Sequence, residues 1–262
     1  MSQYQHSDQA LSDDECLRYS RHLLLKDLGE AGQLKLKHAQ VLVIGMGGLG
    51  APASLYLAAA GIGRLVLADF DEVDSSNLQR QVLYREDDIG QPKVQAAKQH
   101  LQGLNANIQV RAVNRKMDEM LLAMEVAQAE VVLDCSDNIA TRYAVNQACV
   151  KAKVPLVSGA AVAFDGQLMV FDFRKAEQGC YHCLFPNASE QQLNCSNAGI
   201  LGPVVGTIGS LQALETIKLI ANIPSAQVGR FSSFDAHSLE WFHLKVNADL
   251  TCPVCGTNKE TV

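Results

Sequence analysis

The segment VLVIGMGGLG, from Val41 to Gly50, constrains the fold of this chain more than any other. Apolar, mostly β-branched residues lead into glycines spaced as GxGxxG, and a long apolar segment follows. This order predicts a strand, a tight turn at Gly45 and a helix start. Gly47 lets a phosphate approach the backbone, and Gly50 lets the helix pack close to the strand. Because free N–H groups and the helix dipole then face an anion, the segment predicts a nucleotide site.

Asp69 supports this interpretation. It follows the next apolar run, Arg64–Ala68, about 20 residues after the glycines, where dinucleotide-binding folds place a ribose-binding carboxylate. The structural alternative is a glycine-tolerant turn in a parallel sheet. The glycines leave open which nucleotide is bound.

Strand and helix patterns alternate along most of the chain. A first helix is predicted from its N-cap Ser12 through Leu28. Strands are then predicted at Arg64–Ala68, Ile108–Val113, Val131–Asp134 and Pro155–Ser158, and helices at Lys93–Leu104, Asp118–Gln128 and Ile139–Ala152. Later strands are predicted at Gln167–Phe173, Phe231–Asp235 and Ser238–Val246, and a helix from Pro203 to Ile220. We therefore predict an α/β fold with a Rossmann-like, mostly parallel, doubly wound sheet and C-terminal antiparallel strands.

Composition limits the classes of function. With 262 residues, 48% of them apolar, the chain can bury a large core. The formal charge of −6 argues against a nucleic-acid partner, because phosphate backbones select positive surfaces. The polar N-terminus does not resemble a signal peptide, and we recognise no apolar run of membrane-spanning length. We expect a cytoplasmic protein without a membrane partner.

The loop DFDEVDSSNLQRQ at the end of the second strand is rich in polar donors. Asn77, Gln79 and Arg80 supply amide and cationic groups, which a site for a triphosphate requires. Lys93 stands at a predicted helix start, where a lysine opposes the helix dipole unless an anion is bound. The structural alternative for Asn77 and Arg80 is loop capping and a surface charge.

A second polar segment, LDCSDN, lies at the end of the predicted strand Val131–Asp134 and contains Asp134, Asp137 and Asn138. Asp137 is a candidate Mg²⁺ ligand, since this ion takes one or two carboxylates and fills its shell with water and phosphate oxygens. Alternatively, Asp137 caps the helix that begins at Ile139. Both roles can hold together.

The eight cysteines favour metal ligands or reduced thiols, because no export signal accompanies them. The pairs Cys180-Tyr-His-Cys183 and Cys252-Pro-Val-Cys255 offer four thiolates for a structural, tetrahedral Zn²⁺. Redox-active thiols are the alternative, and His182 is an awkward further ligand beside Cys183. Cys195 stands alone in LNCSNAG and is either a nucleophile or an inert loop thiol.

Together these motifs resemble the MoeB/ThiF adenylyltransferases, relatives of the ubiquitin-activating enzymes. The resemblance runs from RYSRHLLL through GMGGLG, SNLQRQ, LDCSDN, GCYHCL and GPVVGTIGSLQALE to CPVCG. It implies that ATP activates the C-terminal Gly-Gly carboxylate of a small ubiquitin-like sulfur carrier, giving an acyl-adenylate and pyrophosphate. It also implies an interface arm at residues 1–30 and one adenylation domain at 31–262, with a crossover loop at 178–202 and terminal strands and a zinc-binding tail at 228–262.

The resemblance also assigns roles to residues. The nucleotide-binding set that it implies is Gly45, Gly47, Gly48, Gly50, Asp69, Ser76, Asn77, Leu78, Gln79, Arg80, Lys93, Asp137 and Asn138. The catalytic set is Arg21, Arg80, Lys93, Asp137 (which would hold Mg²⁺) and, for sulfur transfer, Cys195. Arg21 matches an arginine that family dimers donate to the phosphates of the other subunit, which implies a homodimer.

The pathway is less well defined. SGAAVAFDGQ resembles the molybdopterin branch, whereas GCYHCLFP and GPVVGTIGSLQALE resemble the thiamine branch. We narrowly favour the small subunit of molybdopterin synthase as the carrier, with the thiamine-pathway carrier as the alternative. Because the chain ends just after the second cysteine pair, we expect sulfur from a separate sulfurtransferase or cysteine desulfurase.

Two other classes of function compete with adenylylation. An NAD-dependent oxidoreductase would leave Arg80, Lys93 and Asp137 without a role, and no histidine follows a predicted strand in an obvious catalytic context. A catalytically silent scaffold for the carrier is disfavoured because the expected nucleotide contacts are all present.

Overall fold

A computed structural model of the protein describes residues 10–175, 178–187 and 199–256. Its strands are β1 (Gln40–Ile44), β2 (Arg64–Ala68), β3 (Gln109–Val113), β4 (Val131–Asp134), β5 (Leu156–Val162), β6 (Asp165–Phe171), β7 (Arg230–Asp235) and β8 (Glu240–Lys245). They form one sheet in the order β3-β2-β1-β4-β5-β6-β7-β8. The first five strands are parallel and the last three antiparallel, which confirms the predicted sheet.

Helices cover both faces of this sheet. They are α1 (Asp13–Arg18), α2 (Ser20–Leu23), α3 (Gly29–His38), α4 (Gly50–Ala60), α5 (Lys93–Leu104), α6 (Glu119–Val126), α7 (Ile139–Ala152), α8 (Tyr181–Leu184) and α9 (Gly202–Ala221). One core lies on the face covered by α3, α4, α5 and α9, and includes Leu36, Leu57 and Ile208. The second lies under α6 and α7 and includes Leu122 and Val145. Helices on both faces are the doubly wound arrangement that alternating elements predict.

The N-terminal helix is shorter than predicted. Ser12 caps α1, and Glu15 completes a capping box, as the pattern indicates. The helix nevertheless ends at Arg18, because Tyr19 is buried and its hydroxyl accepts a hydrogen bond of 2.9 Å from Asn105 Nδ2. This distant anchor turns the chain, so the single helix predicted from Ser12 to Leu28 is wrong. Helix α3 lies in a segment for which the sequence predicted no helix.

Strand β5 extends four residues past its predicted end at Ser158. The extension exists because β5 pairs with β6 along its whole length, from Leu156 opposite Phe171 to Val162 opposite Asp165. A neighbouring strand, rather than local propensity, sets this boundary. By contrast, β2, β4, α5 and α7 have the predicted bounds.

Helix α9 is long and apolar enough to cross a membrane by length and composition, although the sequence analysis recognised no such run. In the structure it packs in the core, where Ile208 and Ala213 are almost completely buried. A buried core helix can be as long and as apolar as a membrane-spanning helix. Packing in the core therefore explains the apolar character of α9.

Candidate active site

A cavity of about 970 Å³ opens at the carboxyl ends of β1, β2 and β4. The strand order reverses between β1 and β4, and open α/β sheets bind ligands at such switch points. The structure brings together at this cavity most residues of the predicted site: Gly45, Gly47, Gly48, Asp69, Asn77, Arg80, Lys93, Asp137 and Asn138. The described residues that line it do not include Gly50, Ser76, Leu78, Gln79 or Arg21.

The glycine loop has the geometry that its spacing predicts. Gly45 has a φ of +91°, a conformation that side chains disfavour, and its N–H donates to Ala68 O at 2.8 Å. A Cβ atom on Gly50 would lie 1.9 Å from Gly45 O. The loop can therefore turn tightly and start α4 only with glycine at these two positions.

Met46, in the middle of the loop, is held from both sides. Its N–H donates to Asp69 Oδ2 at 2.6 Å, and its carbonyl accepts a hydrogen bond of 2.7 Å from the Tyr84 hydroxyl. Burial raises the pKa of Asp69, while N–H bonds from Asp71 and Met46 act in the opposite direction. Asp69 thus fixes the loop in addition to its predicted ribose contact. Burial also raises the pKa of Tyr84, so it remains a neutral donor.

Two predicted cations reach the cavity. Lys93 is buried at the start of α5, and its Nζ lies 2.9 Å from Asp71 Oδ2. Arg80 is half-buried, with its Nη1 donating to Ser76 O at 3.0 Å. Ser76 is itself bound to Asp74 through its N–H and hydroxyl, which explains its place outside the lining.

Asp137 is exposed at the cavity, directly before α7. The alternative that it caps this helix is wrong, because Asn138 is the N-cap and its Oδ1 accepts the Thr141 N–H at 2.9 Å. The Asp137 carboxylate is therefore available for a cation, whereas Asn138 has a structural bond of its own.

A buried network supports this edge from below. Asp134 Oδ1 accepts from both the N–H and hydroxyl of Ser136, and its Oδ2 accepts from Ser158. Arg142 Nη2 donates to Ser136 O at 2.5 Å. Asp134 thus orders the loop that presents Asp137 rather than facing a ligand itself.

Several residues that the sequence did not predict also line the cavity: Asp71, Gln81, Arg115, Lys116 and Arg142. Asp71 and Gln81 lie within the polar loop DFDEVDSSNLQRQ. The polar composition of that loop is the sequence feature that could have indicated them. The β3–α6 connection carries Arg115 and Lys116, and only the strand order reveals that it reaches this cavity.

The four predicted cysteine ligands form a separate cluster. The sulfurs of Cys180, Cys183, Cys252 and Cys255 all lie within 4.8 Å of one another. Cys180 Sγ is 3.9 Å from Cys183 Sγ and 3.8 Å from Cys252 Sγ, and Cys183 Sγ is 3.3 Å from Cys255 Sγ. A zinc ion with Zn–S bonds of about 2.3 Å requires sulfurs about 3.8 Å apart. The donor set therefore fits a tetrahedral zinc ion. His182 Nδ1 contacts Cys252 Sγ at 3.8 Å and is not needed to complete the set.

Other predicted residues lie away from the cavity or outside the described part. Arg21 is exposed on α2. Cys195 and the middle of the predicted crossover loop, residues 188–198, lie outside the described residues. Cys135 lines the cavity, but burial raises the pKa of its thiol, which opposes a role as a nucleophile.

Comparisons with known proteins agree with this geometry. The ThiF family model matches residues 19–254. The sulfur carrier protein ThiS adenylyltransferase of Escherichia coli is 50% identical over 94% of this chain and 97% of its own length. The Escherichia coli molybdopterin-synthase adenylyltransferase is 45% identical over 94% of this chain and 98% of its own. A crystal structure of E. coli MccB with ATP superposes with a TM-score of 0.79 at 27% identity, covering 91% of this chain and 73% of MccB.

Proposed function

Because the chain belongs to the ThiF family, we propose that its cavity binds ATP and that the enzyme adenylylates the C-terminal Gly-Gly carboxylate of a ubiquitin-like sulfur carrier. The observation that carries this proposal is that the glycine loop, Arg80, Lys93 and Asp137 all line one cavity. The carboxylate of Asp137 does not cap α7, so it can bind a cation. An oxidoreductase would need a proton donor beside a nicotinamide, and it would give these charged groups no task.

The proposed reaction is a displacement at the α-phosphorus of ATP. An oxygen of the carrier carboxylate attacks this phosphorus, the bond to the bridging oxygen of the β-phosphate breaks, and pyrophosphate leaves with the electron pair. No general base is required, because the carboxylate is ionised near neutral pH. The carboxylate approaches a polyanion, so charge neutralisation and in-line positioning supply most of the acceleration.

The chain's own residues divide these tasks. The loop around Gly47 would receive phosphate on its backbone, and Asp69 would accept from the ribose hydroxyls. Arg80 and Lys93 would neutralise phosphate charge, with Ser76, Asn77, Leu78 and Gln79 forming the turn that carries Arg80.

Two metal ions fit the donors available. Asp137 would hold Mg²⁺, which would neutralise phosphate oxygens when bound. The cysteine cluster would hold Zn²⁺ and join the C-terminal tail to the segment around Cys180. Four thiolates leave no open coordination position, so this zinc would be structural.

We further propose a cytoplasmic homodimer in which Arg21 serves the partner's cavity. Arg21 is exposed and is absent from the described lining of its own cavity, as a residue acting across an interface would be. The sulfur donor would be a separate sulfurtransferase or cysteine desulfurase. If the carrier is that of the thiamine pathway, Cys195 would take part in sulfur transfer after adenylylation.

Two carriers compete for the same chemistry. The motif SGAAVAFDGQ favours the small subunit of molybdopterin synthase. The higher identity, 50% against 45%, favours the thiamine-pathway carrier. Because both candidate carriers end in Gly-Gly, the reacting end does not distinguish them, so a direct comparison is required.

ATP–pyrophosphate exchange tests the proposal. Folded, zinc-loaded protein would be incubated with ATP, Mg²⁺ and labelled pyrophosphate, with each carrier separately and with neither. We expect exchange that depends on one carrier and is lost when its terminal glycine is removed. Absence of exchange with both carriers would reject adenylylation of these proteins, and comparable exchange with both would reject selectivity between the two pathways.

A further inference from the structure

Gln81 is a buried amide beside the glycine loop. Gln81 is only 3% exposed, yet it lines the cavity. Its Nε2 would lie 3.7 Å from a Cβ atom on Gly47, so the amide stands next to the loop that would receive phosphate. Within the described residues, its Oε1 is buried and has no hydrogen-bond partner.

The surrounding backbone holds this arrangement in place. The Gln81 N–H donates to Asn77 O at 2.9 Å, and its carbonyl accepts from Tyr84 N–H at 3.1 Å. Tyr84 then fixes the carbonyl of Met46 through its hydroxyl. These bonds fix the backbone of Gln81 beside the glycine loop, so its side chain starts from a defined position next to Gly47.

An unpaired buried carbonyl is unfavourable, and such groups are rare in folded proteins. Only one other buried side-chain atom in the described part of the chain is unpaired, Gln40 Nε2, at the start of β1 and outside the cavity lining. An apolar side chain of similar length would fill the space of Gln81 without this cost. The presence of an amide at this position is better explained by its nitrogen, Nε2, which can donate two hydrogen bonds.

We propose that Gln81 is a nucleotide-binding residue whose Nε2 donates a hydrogen bond to a phosphate oxygen of ATP beside Gly47. This inference rests on the proposed function, since it requires ATP in the cavity. Phosphate oxygens near neutral pH accept hydrogen bonds but do not donate them, so they select the amide nitrogen. Because Oε1 has no hydrogen-bond partner among the described residues, no bond to this oxygen holds the amide with its nitrogen turned away from the phosphate.

Gln81→Met tests the proposal, because methionine has a similar length but no N–H group. Binding of ATP with Mg²⁺ and of adenosine would be measured by calorimetry, and thermal unfolding would be followed without ligand. We expect ATP to bind about 10- to 100-fold more weakly, because a hydrogen bond to a charged group is lost. Adenosine, which has no phosphate, should bind as tightly as it does to the wild type. The unliganded variant should be at least as stable as the wild type.

Gln40→Met is the matched control, since it replaces the other amide that has an unpaired buried atom, Nε2. It should leave the affinity for ATP unchanged. Gln81→Glu supplies a second variant of the same size, and it should also lose ATP affinity while retaining adenosine. The inference is overturned if Gln81→Met binds ATP as tightly as the wild type, or if ATP and adenosine weaken equally. Failure of the wild type to bind ATP would instead contradict the proposed function.

Discussion

Lys93 and Asp71 are joined twice: Lys93 Nζ lies 2.9 Å from Asp71 Oδ2, and the Lys93 N–H donates to Asp71 O at 2.9 Å. The lysine side chain is 7% exposed and the aspartate side chain 55%. The main-chain bond fixes the first residue of α5 against the polar loop, and the ion pair aims the amine. A buried cation is therefore held at the cavity by a partner that remains largely in water.

Replacing Lys93 with alanine should abolish pyrophosphate exchange without unfolding the protein. Asp71 is solvated, so it loses an ion pair without becoming a buried unpaired charge, and the fold should remain intact. We expect exchange to fall by at least about 100-fold, as when a preorganised electrostatic group is removed. Lys98→Ala, on the same helix but outside the cavity lining, is the control and should exchange normally. Wild-type exchange by Lys93→Ala would remove Lys93 from the site.

Mixed dimers should reveal whether Arg21 acts across the interface. Neither Arg21→Ala nor Asp137→Ala should be active alone. In a dimer of one subunit of each kind, the subunit that retains Asp137 receives Arg21 from its partner, so one site is intact. Random mixing should therefore restore about a quarter of the wild-type exchange activity.

Mixing Lys93→Ala with Asp137→Ala is the control for that experiment. Both residues line the cavity of the same chain, so no combination of these subunits rebuilds a complete site. Mixed dimers should remain inactive. If the Arg21→Ala and Asp137→Ala pair gives no recovery although mixed dimers are verified, Arg21 does not act in the partner's site.

Removal of one cysteine ligand should release zinc and destabilise the protein. Cys180 is tied to the core through Asn146, whose Nδ2 donates to Cys180 Sγ at 3.4 Å and whose Oδ1 accepts from Tyr181 N–H at 2.9 Å. Cys252→Ser should contain less than one zinc per chain and unfold several degrees lower, because the bound metal stabilises the folded state. Metal analysis and thermal unfolding measure both effects. Cys16→Ser, outside the cluster, should keep its metal, and equal metal contents in the two variants would refute the zinc assignment.

The sequence predicted the sheet well because its parallel strands are short and mostly apolar and alternate with helices, some of which begin at a capping residue such as Asp118 or Asn138. Its errors occur where distant residues decide the local structure. Tyr19 is anchored by Asn105, and the chain therefore turns where local capping favours a continuous helix. Similarly, β5 continues because β6 pairs beside it.

The residues of the candidate site also divide into those that local sequence patterns indicate and those whose roles depend on distant contacts. Residues within recognisable motifs, such as Gly45 and Lys93, could be predicted to line the cavity from the local sequence around them. The roles of Asn138 and Tyr84 depend on backbone angles and on contacts between segments far apart in the chain. Tyr84 contacts Met46 across 38 positions, and no local pattern indicates that approach.

The N-terminal segment should lose stability in acid through Glu15. Burial raises the pKa of Glu15, but hydrogen bonds from Lys37 and Ser12 and the charge of Lys37 outweigh it, and the net pKa is lowered. A lowered folded-state pKa gives stability that is complete above the ordinary glutamate pKa and is lost as the pH falls through the folded value. Lys37→Met should therefore lower the free energy of unfolding by about 1 kcal/mol near neutral pH. The deficit should shrink as the pH falls below the ordinary glutamate pKa, because Glu15 is then protonated first in the unfolded chain and, at still lower pH, in the folded protein. Urea titrations at stepped pH values measure this, with exposed Lys26→Met as the control. A deficit that stays constant across this range would show that Lys37 stabilises the protein through packing instead of charge.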